Sequence, residues 1–186
     1  MNKKRTNLDG FSLMEISIVL LIIGIIAGGM LKGKDLIENA QIKSVVNDIQ
    51  NFRIAYASYI NLYDALPGDD SEASSRFSSV SDDGDGDGKI SSSDAKNILP
   101  HLYAAGLIDS IKRTPKIGGN YDIISEPNNT PMLCISKKGT PFLNKKQIIS
   151  IRAKIKELIG DIDILVEPQT LSENSSQKYI IKISLD

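Results

Sequence analysis

The stretch FSLMEISIVLLIIGIIAGGML, residues 11–31, decides the fold of this 186-residue chain. Its only ionisable side chain is that of Glu15. A helix of this length covers about 30 Å at about 1.5 Å per residue, which matches the hydrocarbon core of a bilayer. The basic run from Lys3 to Arg5 precedes it, and basic flanks favour the cytoplasmic side. We therefore predict a cytoplasmic leader over 1–10 and a membrane-spanning helix over 11–33.

Composition alone leaves two other interpretations of this segment open. A cleaved secretory signal would have a shorter apolar region that ends in small residues, and Ala27, Gly28 and Gly29 are candidates for such a site. A plain signal anchor explains the length but not Glu15. A carboxylate inside an apolar span costs about 2.5–3.5 kcal/mol on insertion scales, so it needs a partner.

The run GFSLMEISIVLLIIGII, which starts at Gly10, resembles the N-terminal signature of type IV pilins and type II secretion pseudopilins. The shared features are a short basic leader, Gly10 before the cut, Phe11 after it, Glu15 four residues further, and an unbroken apolar helix. The resemblance implies cleavage between Gly10 and Phe11 by a membrane prepilin peptidase. The same enzyme would methylate the new amino terminus on Phe11.

The resemblance also implies partners and a location. The partners are other pilin or pseudopilin subunits, an inner-membrane assembly platform and the membrane itself. The location is the bacterial inner membrane, crossed once, with the globular domain in the periplasm or in a filament. Major pilins often carry a proline near the end of the span, whereas this chain has Gly28, Gly29 and Gly33 there. On this point a pseudopilin or minor pilin matches at least as well as a major pilin, and the acidic loop described below and the absence of an intrachain disulfide favour a pseudopilin or minor pilin.

Glu15 is the residue to which the resemblance assigns assembly. In the family, this carboxylate is thought to pair with the terminal amine of a neighbouring subunit. Within one chain it lies about one helical turn, roughly 6 Å along the axis, from the amine that cleavage creates on Phe11. In a low dielectric, such a pair between subunits would set the axial register as well as add attraction.

The next segment, 34–66, has the pattern of an amphipathic helix. Its apolar residues recur in steps of three and four. They are Ile42, Val45, Ile49, Phe52, Tyr56, Tyr59 and Tyr63. The spacing predicts one helix from about Ser12 to Tyr63, interrupted or bent near the glycines and ended by Pro67 and Gly68. Packing under a small sheet is favoured over a dimeric coiled coil, because only three heptads fit.

An acidic loop spans residues 82–94. From Asp83, the spacing D-x-D-x-D-G-x-I-x-x-x-D matches a twelve-residue calcium loop of the EF-hand type, with Ile90 in the core. The predicted Ca²⁺ ligands are Asp83, Asp85, Asp87, the Lys89 carbonyl, Ser91 and Asp94. Asp94 stands where EF-hands usually place Glu, and its shorter side chain reaches the ion less readily. A solvated acidic turn is the alternative, but crowded carboxylates repel one another unless a cation neutralises them.

The remainder, within a globular domain over 67–186, predicts a small antiparallel sheet and further helices. Strands are expected over 120–125, 131–136 and 178–184, with Asn128 and Asn129 in a hairpin turn. A short helix is expected to open at Pro100, and another over 143–159, capped by Asn144 and Gly160. Residues 167–177 are expected to form a loop. The predicted fold class is α+β, with the long N-terminal helix packed on this sheet.

Several function classes receive no support from the composition. A formal net charge of −1 gives no reason to expect nucleic acid as a partner. The single histidine, His101, and the single cysteine, Cys134, are both expected to be packing residues, so no enzyme is predicted. Two functions stay open: a filament subunit, and a membrane-anchored calcium-binding module without a filament role.

Overall fold

The computed structural model describes residues 11–111, 114–126, 128–168 and 177–185. Gly10 and the rest of the leader lie outside these residues. The chain divides into two units at Asn39 and Ala40. One helix, α1, runs from Leu13 to Tyr63 without a break. The interruption predicted at the glycines is therefore wrong, because Gly28, Gly29 and Gly33 all lie within the continuous helix.

The first unit contains the apolar part of α1. Every side chain from Phe11 to Met30 is exposed, including large apolar ones such as Leu13, at 89%, and Ile25, at 68%. The helix is long enough and apolar enough to cross a membrane. Exposed apolar surfaces of this extent mark sites of contact with a membrane or with other protein surfaces.

The second unit contains the sheet and the remaining helices. Its elements after α1 are α2 (Ala73–Arg76), α3 (Asp94–Ala104), β1 (Asn120–Ser125), β2 (Pro131–Ser136), α4 (Lys145–Leu158), β3 (Ile164–Glu167) and β4 (Ile180–Ser184). The strands lie in the order β1-β2-β4-β3, and all neighbours are antiparallel. These elements confirm the predicted α+β class.

The core lies between α1, α4 and one face of the sheet. The apolar stripe of α1 is buried from Ile42 to Tyr59, and α4 adds Ile148, Ile151 and Ile155. The sheet contributes alternate residues such as Leu133 and Ile135. Each buried side chain of this size stabilises the fold by about 1.5–3 kcal/mol. Since this unit's own sheet and helices cover the stripe, it leaves no seam for a coiled coil.

The secondary structure differs from the prediction in three places. Helix α3 begins at Asp94 and carries Pro100 inside it, so the start predicted at Pro100 is wrong. Strand β3, Ile164–Glu167, was not predicted, because one of its four residues is buried and no alternation marks it. Strand β4 begins two residues later than predicted, at Ile180, whereas α4 begins at Lys145, directly after the cap predicted at Asn144.

Both ends of α4 and the hairpin turn follow their sequence signals. The Asn144 side chain accepts the Gln147 N–H (2.9 Å), and the Gln147 side chain accepts the Asn144 N–H (3.0 Å), which is a capping box. Gly160 adopts a φ of 105°, as expected after a helix end. Asn129 adopts a φ of 61° in the turn between β1 and β2. These three predictions are confirmed.

Candidate functional site

The first candidate site is the start of α1, where the Glu15 side chain accepts a hydrogen bond from the backbone that precedes the helix. The Ser12 N–H donates to Glu15 Oε2 (3.3 Å), and the Met14 N–H donates to Ser12 Oγ (3.3 Å). These two bonds satisfy backbone donors that a helix start leaves open. The signal, Ser12 followed three residues later by Glu15, is visible in the sequence, but the sequence reasoning assigned Glu15 to assembly alone. Both Phe11 and Glu15 are exposed.

The second candidate site is the acidic loop, where three carboxylates converge. Asp69, Asp85 and Asp87 each offer one oxygen, and these oxygens lie within 4.8 Å of one another. Asp85 and Asp87 belong to the predicted calcium ligands. Asp69 does not, because it precedes the loop and directly follows the Pro67–Gly68 turn at the end of α1. The DD pair at 69–70 is the only sequence signal that points to it.

Asp69 organises the loop from within. Its side chain is buried, with 3% exposed, and its two oxygens accept three backbone N–H groups. Oδ1 accepts those of Gly86 (2.8 Å) and Asp87 (3.2 Å), and Oδ2 accepts that of Gly88 (2.8 Å). The loop is therefore wrapped around a carboxylate supplied by the segment before it.

The ionised form of the Asp69 carboxyl is disfavoured in the folded chain. Burial raises the pKa of its carboxyl, and the neighbouring Asp85 side chain raises it further, although the three backbone N–H groups act in the opposite direction. The net shift is upward, since burial and a second carboxylate both disfavour the ionised form. A cation between these side chains would relieve both effects.

The other predicted ligands have partners elsewhere. Asp83 accepts the Ser74 N–H (2.6 Å) and the Ser74 hydroxyl (2.7 Å), which lower the pKa of this exposed carboxyl. Asp94 Oδ2 accepts the Ser91 N–H (2.8 Å), and Ser91 Oγ accepts the Asp94 N–H (3.3 Å). The Lys89 N–H donates to Asp87 Oδ1 (2.8 Å), and Ile90 is buried as predicted. The structure thus brings together only Asp85 and Asp87 from the predicted set.

The Ser91–Asp94 pair has the reciprocal hydrogen bonds of a capping box in the turn that leads into α3, where the Ala95 N–H also donates to the Ser91 carbonyl (3.0 Å). The sequence S-S-S-D carries this signature, serine followed three residues later by an acidic residue. The sequence reasoning assigned the same two residues to the last ligand positions of a calcium loop. In the structure their side chains are engaged in starting the helix.

His101 holds the loop against the end of α1. Its ring is fully buried, and Nδ1 accepts the Gly68 N–H (3.0 Å). Nε2 lies 3.0 Å from the Asp82 carbonyl, so the neutral ring carries its proton on Nε2 and donates it there. The ring also stacks on Tyr59 at 6.2 Å between centroids. The prediction of a packing histidine is confirmed, with burial more complete than expected.

Asp70 forms a second polar cluster beside the loop. It accepts the Tyr59 hydroxyl (2.7 Å), the Glu72 N–H (2.9 Å) and the guanidinium of Arg76. Burial acts to raise the pKa of Asp70, but these donors outweigh burial and lower it overall. Arg76 also lies over the Tyr63 ring, 5.7 Å from its centroid. This cluster fixes the path of the chain from α1 to α2.

Cys134 takes no part in either site. It is buried on β2, as predicted, and burial raises the pKa of its thiol to about 11. A thiol in this state is a packing group, because the reactive thiolate is scarce at neutral pH.

Comparison with known proteins gives one likeness to report. No protein-family model and no curated protein matches the chain. The chain is similar to a solved structure described as that of the major Type IV pilin PilA1 from Clostridium difficile. The identity is 20%, the match covers 80% of this chain and 96% of that chain, and the TM-score is 0.46. Because both identity and TM-score are low, the function proposed below rests on this chain's own residues.

Proposed function

We propose that this chain is a structural, non-enzymatic subunit of a type IV pilin-like filament, either a pseudopilin of type II secretion or a minor pilin. The observation that carries the proposal is the asymmetry of α1. Its first part exposes an apolar surface with one carboxylate at its start, and its second part buries an apolar stripe under a sheet. Such a helix suits a subunit that is first anchored in the membrane and then packed against other subunits.

Processing is part of the proposal. A prepilin peptidase would cut between Gly10 and Phe11 and methylate the new amine on Phe11. Since α1 begins at Leu13, this cut would leave the amine two residues before the helix and close to Glu15. The Ser12–Glu15 bond holds the carboxylate at the helix start, where the amine of a neighbouring subunit would approach it.

Mass spectrometry of the mature N-terminus tests the processing. The expected result is a chain that starts with N-methylated Phe11. A chain cut after Ala27, Gly28 or Gly29 would identify a secretory signal, and a chain that keeps its leader would identify a plain anchor. Either of these results contradicts the proposed processing.

Glu15→Val tests the assembly role in the source bacterium. We expect the full-length variant to be inserted and processed but lost from sheared or pulled-down filaments, because the carboxylate that pairs with the amine is gone. Ser17→Val is the matched control, since it makes the same helix more apolar and keeps Glu15. Normal assembly of Glu15→Val would contradict the proposed filament function. It would favour the alternative, a membrane-anchored calcium-binding module.

We further propose that the acidic loop binds Ca²⁺ through Asp85, Asp87 and Asp69, in place of the full EF-hand set. Carboxylate oxygens are the ligands that Ca²⁺ prefers, at about 2.3–2.6 Å. Oxygens within 4.8 Å of one another can therefore contact one ion at their centre. Asp69 would contribute charge from a buried position, and Asp85 and Asp87 would contribute from exposed ones.

Thermal unfolding of the full chain in detergent tests this site. We expect Ca²⁺ at about millimolar concentration to raise the melting temperature, since a ligand that binds only the folded state stabilises it. Asp85→Ala should abolish the shift, whereas Asp82→Ala, an exposed neighbour outside the cluster, should keep it. The proposed metal site would be contradicted if Ca²⁺ did not change the melting temperature of the unaltered chain, or if it raised that of Asp85→Ala equally.

A further inference from the structure

One end of the sheet in the second unit carries a group of lysines. This end, to which we refer as the basic end, is where Asn120 pairs with Ser136 and where β4 begins. The segments that reach it are 114–119, 137–147 and 177–179. Together they contain six basic residues and no acidic residue. The basic residues are Lys116, Lys137, Lys138, Lys145, Lys146 and Lys178.

Short contacts hold the three segments together. The segment before β1 passes so close to the end of β2 that a Cβ at Gly119 would lie 2.6 Å from the Ser136 carbonyl oxygen and 2.7 Å from the Phe142 ring. The Leu143 N–H donates to the Tyr179 carbonyl (3.1 Å), and the Tyr179 N–H donates to the Leu143 carbonyl (2.8 Å). The lysines of these segments therefore belong to one continuous part of the surface.

Five lysines of the basic end are available to a partner. Lys145 is partly exposed, and the other four are exposed: Lys116, Lys137, Lys138 and Lys178. Among the residues that the structure describes, none of these five forms an ion pair. Lys146 has an interaction of its own and is not counted with them. Lys145 occupies the first position of α4, where the positive end of the helix dipole disfavours a cation, so its charge does not stabilise the helix.

Helix α1 enters the second unit at the basic end. The Tyr121 hydroxyl, one residue from this end of β1, donates to Asp48 on α1 (3.0 Å). Nine residues further along α1, Ala57 lines a cavity with Pro131 and with the acidic loop, at the opposite end of the sheet. The helix therefore runs from the basic end towards the acidic loop, and Ala40, with which the second unit starts, lies towards the basic end.

A short stretch of chain ties this end to the apolar part of α1. Ala40 follows nine residues after Leu31, the last residue of the apolar run. Nine residues reach at most about 32 Å, whatever their conformation. A membrane that holds the apolar run is therefore always within reach of the basic end. Such a link gives the lipid surface a high effective concentration at these lysines.

We infer that the basic end of the second unit contacts the anionic lipid head groups of the membrane that anchors α1. Lysine ammonium groups bind phosphate as point charges on long, flexible side chains. Each lysine near an anionic bilayer favours the bound state by about fivefold. The inference rests on the proposed function as a membrane-anchored subunit. It names a surface that holds the globular unit against the bilayer before the subunit joins a filament.

Energy transfer from the globular unit to lipid tests the contact. The full chain is reconstituted into vesicles with acceptor-labelled lipid, either neutral or containing about 30% phosphatidylglycerol as the anionic lipid. The donor dye is attached at Thr140→Cys, an exposed position at the basic end, because the native Cys134 is buried and reacts poorly. We expect more transfer in the anionic vesicles. A donor at Asn128→Cys, exposed in the turn at the other end of the sheet, should show no such rise.

Removal of charge identifies the lysines that carry the contact. One variant combines three substitutions at the basic end: Lys137→Gln, Lys138→Gln and Lys145→Gln. It should lower the ratio of bound to detached units by roughly 100-fold and so abolish the rise in transfer. The matched control removes the same charge from α3 and the second half of α4 and should keep the rise: Lys96→Gln, Lys154→Gln and Lys156→Gln. NaCl at about 0.5 M should weaken the contact of the unaltered chain, because the Debye length then falls below about 8 Å.

Three results would overturn the inference. They are equal transfer in neutral and anionic vesicles, a rise that persists in the basic-end variant, and transfer that follows protein density in neutral vesicles, which would assign the basic end to a second copy. Alkaline carbonate extraction separates these results from a failure of the proposed function. A chain that carbonate releases is not anchored, whereas a chain that stays in the vesicles without a rise in transfer refutes the lipid contact alone.

Discussion

At the scale of single residues, Gly84 allows the acidic loop to pass directly against the segment before it. A Cβ at this position would lie 2.2 Å from the Cα of Asp69, so no side chain fits. The Gly84 N–H also donates to the Asp70 carbonyl (3.0 Å). The close approach of the two backbones is what lets the Asp69 carboxylate reach the amides of the loop.

We expect Gly84→Ala to lower the free energy of unfolding by about 3 kcal/mol, at the upper end for an overpacked site, because backbone atoms on the far side cannot move away. Denaturant unfolding of the full chain, followed by tyrosine circular dichroism, measures the loss. Gly88→Ala is the control: its φ is 78° but nothing lies within 4 Å of its Cβ, so only strain of about 1 kcal/mol is expected. Equal losses would show that crowding is not the cause.

Residue identities in the acidic loop were only partly predictable. The alternation of Asp and Gly marked Asp85 and Asp87, because a motif with fixed spacing is visible within a short window. Asp69 lay outside that window, since its bonds to the loop span 17 to 19 residues. A contact of that kind depends on how the turn after α1 is folded, which no local pattern records.

At the scale of elements, Ser91 precedes α3 and has two possible roles, as a helix-capping residue or as a Ca²⁺ ligand. As the capping residue of the turn before α3, Ser91 should contribute about 1 kcal/mol, so Ser91→Ala should lower the free energy of unfolding by that amount. As a Ca²⁺ ligand, its loss should also weaken the stabilisation by Ca²⁺. We expect only the first effect, measured by thermal unfolding with and without Ca²⁺, and Ser92→Ala as the exposed control should change neither. A smaller rise in melting temperature with Ca²⁺ after Ser91→Ala would show that Ser91 is a Ca²⁺ ligand, as the sequence predicts.

Elements with a strong period were predicted well, and elements with a weak one were not. The steps of three and four in α1 gave both its extent and its buried side, and the continuous burial of β2 matches its apolar run. Strand β3 was missed because its place at the sheet edge rests on pairing with β4, as in the Val166–Ile181 pair. The α3 start was misassigned because one short sequence satisfied both a capping box and a calcium loop.

At the scale of the whole molecule, the polar cluster around Asp70 links stability to pH. The pKa of Asp70 is lower in the folded chain than its ordinary value of 3.8. The unfolded chain therefore takes up this proton more readily, and the contribution of Asp70 is fully present above about pH 4 and is lost as the pH falls through the folded pKa. Asp69 acts in the opposite sense, because its pKa is raised.

We expect Asp70→Asn to lower the free energy of unfolding at pH 7 by about 2 kcal/mol, since it removes a charged acceptor of Tyr59 and Arg76. The same variant should lose part of the fall in stability between about pH 5 and 2. Urea unfolding across this range measures both effects, with the exposed Asp82→Asn as control. A pH profile parallel to that of the unaltered chain would contradict the role given to Asp70.

The bonds between Asp69 and the loop also bear on the order in which the chain folds. They join residues 17 to 19 apart, whereas the β2–β4 pairing joins Met132 to Ser184, which lies 52 residues later. Closing the shorter ring costs less chain entropy and needs less of the chain to be present. The acidic loop can therefore close as soon as the chain up to Gly88 is available, before the last strands of the sheet have paired.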